Sequence, residues 1–553
     1  MNIKKALGNI DVDIQSIQDE KLRSLVALLL NVVEHISKEN DELKKKVQSQ
    51  ADEINRLKGE KGKPTIRPQK NGNSSNHSSE SERKNSEEKP DLKKKAKNGS
   101  IKIDRSERCG LDAELLPDDV IFKGYRSVIV QDIKITTDNV RLERACYYSP
   151  SLKKWYLAPL PAGYEGQFGP TIKALILDLY QDGGMTEPAL KRFFQTHNVS
   201  ISSGKISSII TDTISPFHDE KTAIVDAGLS ATDYHHLDDT ASRVNGKNHH
   251  AHILCNPFFT AYFTLPNRDR LSALQALSNG KQVFCLNKEA YVLMTELGLS
   301  EKRLSALKAL NLSEGLMEAV TLEKAIKTLF PDEHHHTTSQ RIIREAAAIV
   351  AYQQHYNKTK ILLTDGARQF QRLTQHHGLC WVHEGRHYKK LMPVLMIHRE
   401  LLDAYRAEFW QYYRRLLDFK KAPKHAAAKK LSKDFDLLFS RKTGYLDLDE
   451  RIASTLAEKE RLLLALKFPH IPLHNNAAEG GARIQARKRD ISFQTKNAKG
   501  TQAKDTLMTI IETAKKLRVN TFNYIYDRLS KKFAMTSLAD LILQQANIAP
   551  IAA

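Results

Sequence analysis

Three short stretches place carboxylates where phosphodiester chemistry could use them. Residues 236–240 read HLDDT, residues 361–366 read ILLTDG, and residues 474–483 read HNNAAEGGAR. The first two are strand-like and the third opens a helix, so Asp238, Asp365 and Glu479 would arrive from two strands and a helix. Singly, each has an ordinary explanation. Asp238 and Asp239 could be turn residues, Asp365-Gly366 a strand exit, and Glu479 a complement to a helix N-terminus capped by Asn475 or Asn476. Together, three such carboxylates can hold a pair of divalent ions that cut or join phosphodiesters. Mg2+ or Mn2+ takes hard oxygen ligands, which is why carboxylates rather than histidines are expected.

The surroundings suit a nucleic-acid substrate. Arg483, one helical turn after Glu479, would share its face and could clamp a phosphate. The run Arg487-Lys488-Arg489 follows, and Lys205 adds a charge on an earlier helix. Cys380 and His383, two soft ligands three residues apart, make half a zinc site. The alternatives are packing around Trp381 or a DNA contact. His334-His335-His336 is expected to be a solvated loop.

To position these groups the chain has 553 residues, too many for one core. It carries 85 Lys and Arg against 65 Asp and Glu, a net charge of +20. That balance favours a polyanionic partner through counterion release. Five scattered cysteines without a CxxC pair argue against a disulfide framework and for a reducing cytoplasm. No run approaches the roughly 20 apolar residues of a membrane span, and no signal peptide is apparent.

The fold class expected is multidomain α/β. Residues 20–58 read as a coiled coil, with Leu22, Leu29, Ile36, Leu43, Gln50 and Leu57 at d and Val26, Val33, Asn40, Val47 and Ile54 at a. Such a pattern favours a parallel dimer, and Asn40 would fix its register. The polar linker that follows leaves no adjacent partner for the helix. Residues 59–104 are too poor in apolar side chains to fold. Residues 105–165 form a small β-rich domain, with short runs at Val128–Val130, Lys134–Thr136 and Lys154–Leu157. Residues 166–225 are helical and suit a helix-turn-helix, although Lys205 alone adds charge to the third helix. Residues 226–500 show a strand with Asp, a hairpin, a strand ending in Asp, and a helix with Glu. That is the order of an RNase H-like core, with helical insertions near 270–356 and 385–468. Residues 501–553 are a C-terminal helical region.

These residues resemble the large transposases of the insertion-sequence-66 (IS-66) group, of the DDE class. The family's Asp-Glu-Thr is similar to Asp238-Asp239-Thr240, its strand and Asp-Gly to Asp365-Gly366, and its Cys-Trp-x-His to Cys380–His383. Its Asn-Asn-x-x-Glu, with a following Arg-Lys, resembles Asn475–Glu479 and Arg487-Lys488. Glu512-Thr513-Ala514-Lys515 with Tyr524 resembles its C-terminal end. Gly480 stands where the family carries an arginine, and only Cys109 and Cys146 fall in its zinc-knuckle region. The resemblance implies DNA transposition: binding of terminal inverted repeats, then metal-dependent strand cleavage and strand transfer into target DNA. It implies Asp238, Asp365 and Glu479 as holders of two Mg2+ ions, and no zinc is expected. It also implies a homodimer or larger assembly on double-stranded DNA at the nucleoid, with accessory proteins of the same element. The other classes are a domesticated DNA-binding scaffold and an RNase H-like nuclease or resolvase without strand transfer.

Overall fold

The computed structural model describes residues 17–57, 102–111, 121, 123–332 and 334–548. Most of the expected linker therefore lies outside the described residues. The chain divides into two units, one of Met1–Arg67, Arg144–Arg192 and Ile201–Ala553, the other of Pro68–Glu143 and Phe193–Ser200. In the second unit residues 123–143 run without strand pairing, and the strands expected at 128–130 and 134–136 do not form. Val128 and Val130 stay 83% and 81% exposed, and among the described residues no neighbouring strand bonds their backbone. The β element of this region is one hairpin in the first unit, β1 (Cys146–Ser149) against β2 (Lys154–Leu157). The three helices expected next are Pro170–Gln181, Glu187–Thr196 and Ser203–Thr211, the last capped by the Ser202 side chain on Lys205 N.

A five-stranded sheet carries the first unit. Its order is β5 (Thr260–Leu265), β4 (Lys247–Cys255), β3 (Tyr234–Val244), β8 (Ile361–Thr364), β9 (His376–Leu379). β3, β4 and β5 form an antiparallel meander, and β8 and β9 add to β3 in parallel. Asn245-Gly246 makes the first turn, both with positive φ (47° and 75°). That tight turn keeps the twist of the paired strands. At the second turn the Asn256 side chain accepts from Phe258 N and Phe259 N.

The free edge of β5 is closed by side chains. Thr509 and Thr513 accept the edge amides of Tyr262 and Thr260 (3.2 and 3.3 Å), and Asp505 accepts that of Thr264 (2.6 Å). All three project from the helix Ala498–Lys516. Their spacing of four helical residues rises about 6 Å. The alternate residues of β5 advance about 6.6 Å, so the two ladders stay in step. An edge that could recruit another strand is thereby satisfied within the chain.

Two insertions interrupt the sheet. The one between β5 and β8 includes a two-stranded sheet, β6 (Val283–Cys285) with β7 (Leu316–Glu318), so it is not purely helical. The one after β9 packs helices Met396–Lys421, His425–Phe439 and Leu446–Ala457 around an aromatic core that contains Trp381.

The N-terminal helix Glu20–Leu57 docks on that second insertion. Asn31 donates to Gly444 O and accepts from Leu446 N. Glu34 accepts from Val394 N and Leu395 N, capping the helix that starts at Met396. Lys38 reaches Tyr445 and Asp447. The linker leaves no adjacent partner, yet the helix does pack on its own chain, because its partners lie far along the sequence. Leu22, Leu29, Ile36 and Leu43 stay exposed on another face, and so does Asn40. Among the described residues no helix is long and apolar enough to cross a membrane.

Candidate active site

β3 and β8 run in parallel with His236 opposite Leu363. Continuing that register sets Asp238, mid-way along β3, beside Asp365, the residue that follows β8, so neighbouring strands bring both carboxylates to the C-terminal end of β8. Asp365 accepts from Ala367 N (3.1 Å) in a local turn that needs Gly366 at φ +91°. Glu479 comes from the first turn of the helix Asn476–Ser492. Asn475, fully buried just before that helix, ties it down. Its Nδ2 donates to Leu237 O (3.2 Å), its Oδ1 accepts from His236 (2.9 Å), and its N–H meets Cys380 Sγ (3.2 Å). The helix lies close over the sheet because Gly481 has no side chain. A Cβ there would stand 2.7 Å from Ile253, the residue paired with Asp238.

Asp238 feels the other two carboxylates. Burial pushes the Asp238 carboxyl up to about 7, aided by the like charges of Asp365, Asp239 and Glu479 and opposed by a hydrogen bond from Asp239 N. Glu479 is buried among basic side chains. Arg386 donates to it (3.1 and 3.5 Å), and Arg483 (3.6 Å) and His383 (3.5 Å) flank it. Asp239 takes a different place: its nearly buried carboxylate pairs with Arg268 and accepts from Gln369 (2.9 Å).

The other expected residues divide. Arg483 and Arg487 are exposed, one turn apart on the helix that bears Glu479. Lys488 is not on that exposed face. It turns inward, donating to Tyr180 O with its ammonium 3.3 Å from the ring centroid. Burial lowers its pKa to about 7. Arg489 is half-buried and strapped to Ala241 O, and Lys205 is half-exposed on its own helix. Trp381 is fully buried and donates to Leu462 O, so its role is packing. His334, His335 and His336 are exposed, as a solvated loop should be. Arg386 escaped the sequence reading, although it lies one helical turn beyond His383. Arg268 and Gln369 carried no local signal, since their partner Asp239 lies far away in the chain.

Residues 334–503 match the profile of the transposase IS66 family. The chain is also 30% identical over 335 residues to the uncharacterized protein y4jO of Sinorhizobium fredii (strain NBRC 101917 / NGR234). That match covers 58% of this chain and 99% of the relative. The chain belongs to the IS66 transposase family. The family match spans β8, β9, the second insertion and the Glu479 helix. Within it fall Asp365, Glu479, Arg386 and the Cys380–His383 motif, while Asp238 lies upstream on β3.

Proposed function

We propose that this IS66 family member is a DNA transposase of the DDE type, with an RNase H-like core whose Asp238, Asp365 and Glu479 hold two Mg2+ ions. The observation that carries the reading is that Asp238, beside the C-terminal end of β8, is acted on by the charges of both Asp365 and Glu479. The strand order supports the core: three antiparallel strands extended by two parallel ones, with the glutamate on a helix across them. The donor set suits hard cations, because burial, with the like charges of Asp365, Asp239 and Glu479 added to it, raises Asp238 to about 7, and a cation among these oxygens would offset both. Ions held there by Asp238, Asp365 and Glu479 would supply activation of an attacking oxygen and stabilisation of a leaving 3′ oxygen.

The chain's own groups bind and orient. Arg483 and Arg487 take backbone phosphates beside the carboxylates, Arg386 aims the Glu479 carboxylate, and Asn475 fixes the helix that carries it. In this reading the substrates are terminal inverted repeats of double-stranded DNA and a target duplex, with accessory proteins of the same element as partners. The protein acts as a homodimer or larger assembly, its N-terminal helices pairing through the exposed leucine stripe. A supercoiled plasmid bearing the element's ends tests the chemistry. Mg2+-dependent nicking at those ends, and joining of precut ends to a target, are expected. Binding without nicking would make the protein a scaffold, and nicking without joining would make it a nuclease or resolvase.

A further inference from the structure

The cysteine and histidine that make half a zinc site in the sequence gain a third partner in the fold. The Cys380 sulfur, a His383 ring nitrogen and a Glu479 carboxylate oxygen all lie within 4.8 Å of one another. We propose that these three residues form a mononuclear site for a borderline-soft divalent cation, zinc foremost, which shares Glu479 with the carboxylate cluster.

Each ligand is delivered by a separate constraint. Cys380 ends the segment after β9, its N–H bonded to Thr364 O, and its buried sulfur faces the N–H of Asn475. His383 follows one turn into the helix Trp381–Lys390, on the same side. Glu479 comes from the first turn of its own helix. A second observation points to a ligand: His383 Nδ1 is buried without a hydrogen-bond partner, 3.5 Å from Glu479 Oε1. A sulfur and an imidazole select zinc over magnesium, whose ligands are oxygens. Three protein ligands would leave the fourth tetrahedral position open.

Without the ion, Arg386 is the cation of the site, donating to His383 Nε2 (3.0 Å) and to Glu479. Its side chain is 40% exposed and can swing out. Zinc binding then releases the Cys380 thiol proton to solvent. It also moves the His383 proton from Nδ1 to Nε2, which frees Nδ1 as the ligand. The consequence rests on the transposase reading: an ion that takes a Glu479 oxygen withdraws it from the Mg2+ cluster, so zinc opposes Mg2+-dependent nicking.

The test uses the full chain without DNA or Mg2+. Titration with Co2+ should give a thiolate-to-cobalt charge-transfer band that saturates at one ion per chain and is bleached by zinc. Zinc should also raise the melting temperature. The band should vanish in Cys380→Ser and persist in Asp238→Asn. Affinity should fall at least about ten-fold in His383→Ala and Glu479→Ala, since losing even an outer partner costs about 10–100-fold. Arg386→Gln should bind more tightly, having lost the competing cation. If Cys380→Ser does not fold, His383→Ala decides the matter. No band in the folded protein, or a band unchanged in His383→Ala, overturns the proposal. Cobalt binding in a protein that never nicks DNA would sink the transposase reading and leave this site standing.

Discussion

Along β3 the side chains alternate, so Asp238 turns toward Asp365 and Glu479 while its neighbour Asp239 turns toward Arg268 and Gln369. Asp238→Asn should abolish metal-dependent nicking and leave end binding intact, read by plasmid relaxation beside a gel shift. The same variant has a stability signature. The Asp238 carboxyl titrates at about 7 when folded, above its ordinary 3.8. Its stabilising contribution is full below pH 3.8 and is lost as pH rises through 7. Metal-free Asp238→Asn should therefore melt above the wild type at pH 8 and lose that advantage at pH 4. Equal melting at both pH values would remove Asp238 from the cluster. The two glycines after Glu479 look alike in sequence and differ in the fold. A Cβ on Gly480 meets nothing within 4 Å, whereas one on Gly481 strikes Ile253. Gly480→Arg should be tolerated and gain up to about 1 kcal/mol of helix propensity. Gly481→Ala should lose about 1–3 kcal/mol to overpacking and slow nicking by shifting Glu479. Thermal melts of the pair decide this, and equal melting temperatures would be the contrary result. The carboxylates were legible because their types and order sit in local motifs. Arg386 and the inward turn of Lys488 were not, because each depends on a neighbour remote in sequence.

At the scale of elements, local pattern located β3, β4, β5 and β8, the helix of Glu479 and the N-terminal helix, and the Asn256 turn was visible in its Asn-Pro, whereas the edge strand β9 went unread because its HHGL carries no strand pattern. Val128–Val130 failed as a strand because β-branched residues mark a strand only where another strand is there to pair. The docking of the N-terminal helix was equally illegible: Asn31, Glu34 and Lys38 find their partners some 360–415 residues away. Burial would raise the Glu34 carboxyl, yet hydrogen bonds from His398, Leu395 N and Val394 N, with Lys38 nearby, hold it down to about 2. A depressed carboxylate stabilises the docked state above its ordinary 4.5, and that contribution is lost as pH falls toward 2. The protection of amides across residues 22–38, measured against their intrinsic exchange at each pH, should therefore fall between pH 5 and pH 2. Glu34→Gln should already show the faster exchange at pH 7, because an amide cannot accept both backbone bonds and leaves buried polar groups short by about 1–3 kcal/mol. Slow exchange in Glu34→Gln would mean that the helix is held by something else.

For the whole molecule, docking changes what the N-terminal helix can do. Leu22, Leu25, Leu29, Val32, Ile36, Leu43 and Val47 are exposed, most of them stepping by three and four. Over the docked half the stripe takes Leu25 and Val32, while Val26 and Val33 are half-buried toward the chain itself. The seam is thus rotated from the one that the heptad alone suggests, and Asn40 falls toward its edge. An apolar stripe at that spacing is self-complementary, which is why a second copy is its expected occupant. Because Asn31, Glu34 and Lys38 fix the helix to the catalytic unit, such a pair would hold two active sites at a set separation. Their effective concentration would then follow from a rigid geometry rather than from a loose tether. Truncating the helix would destroy docking and pairing together, so substitution within the stripe is the cleaner test. Leu29→Glu with Ile36→Glu leaves the docked face untouched. Light scattering should report a dimer for the wild type and a monomer for the double variant at micromolar concentration. Nicking at a single end should persist in that monomer, while joining that needs two ends in one complex should fall at least about ten-fold, as an intramolecular encounter becomes a bimolecular one. A double variant that stays dimeric, or a monomer with full paired-end activity, would move the assembly surface elsewhere on the molecule.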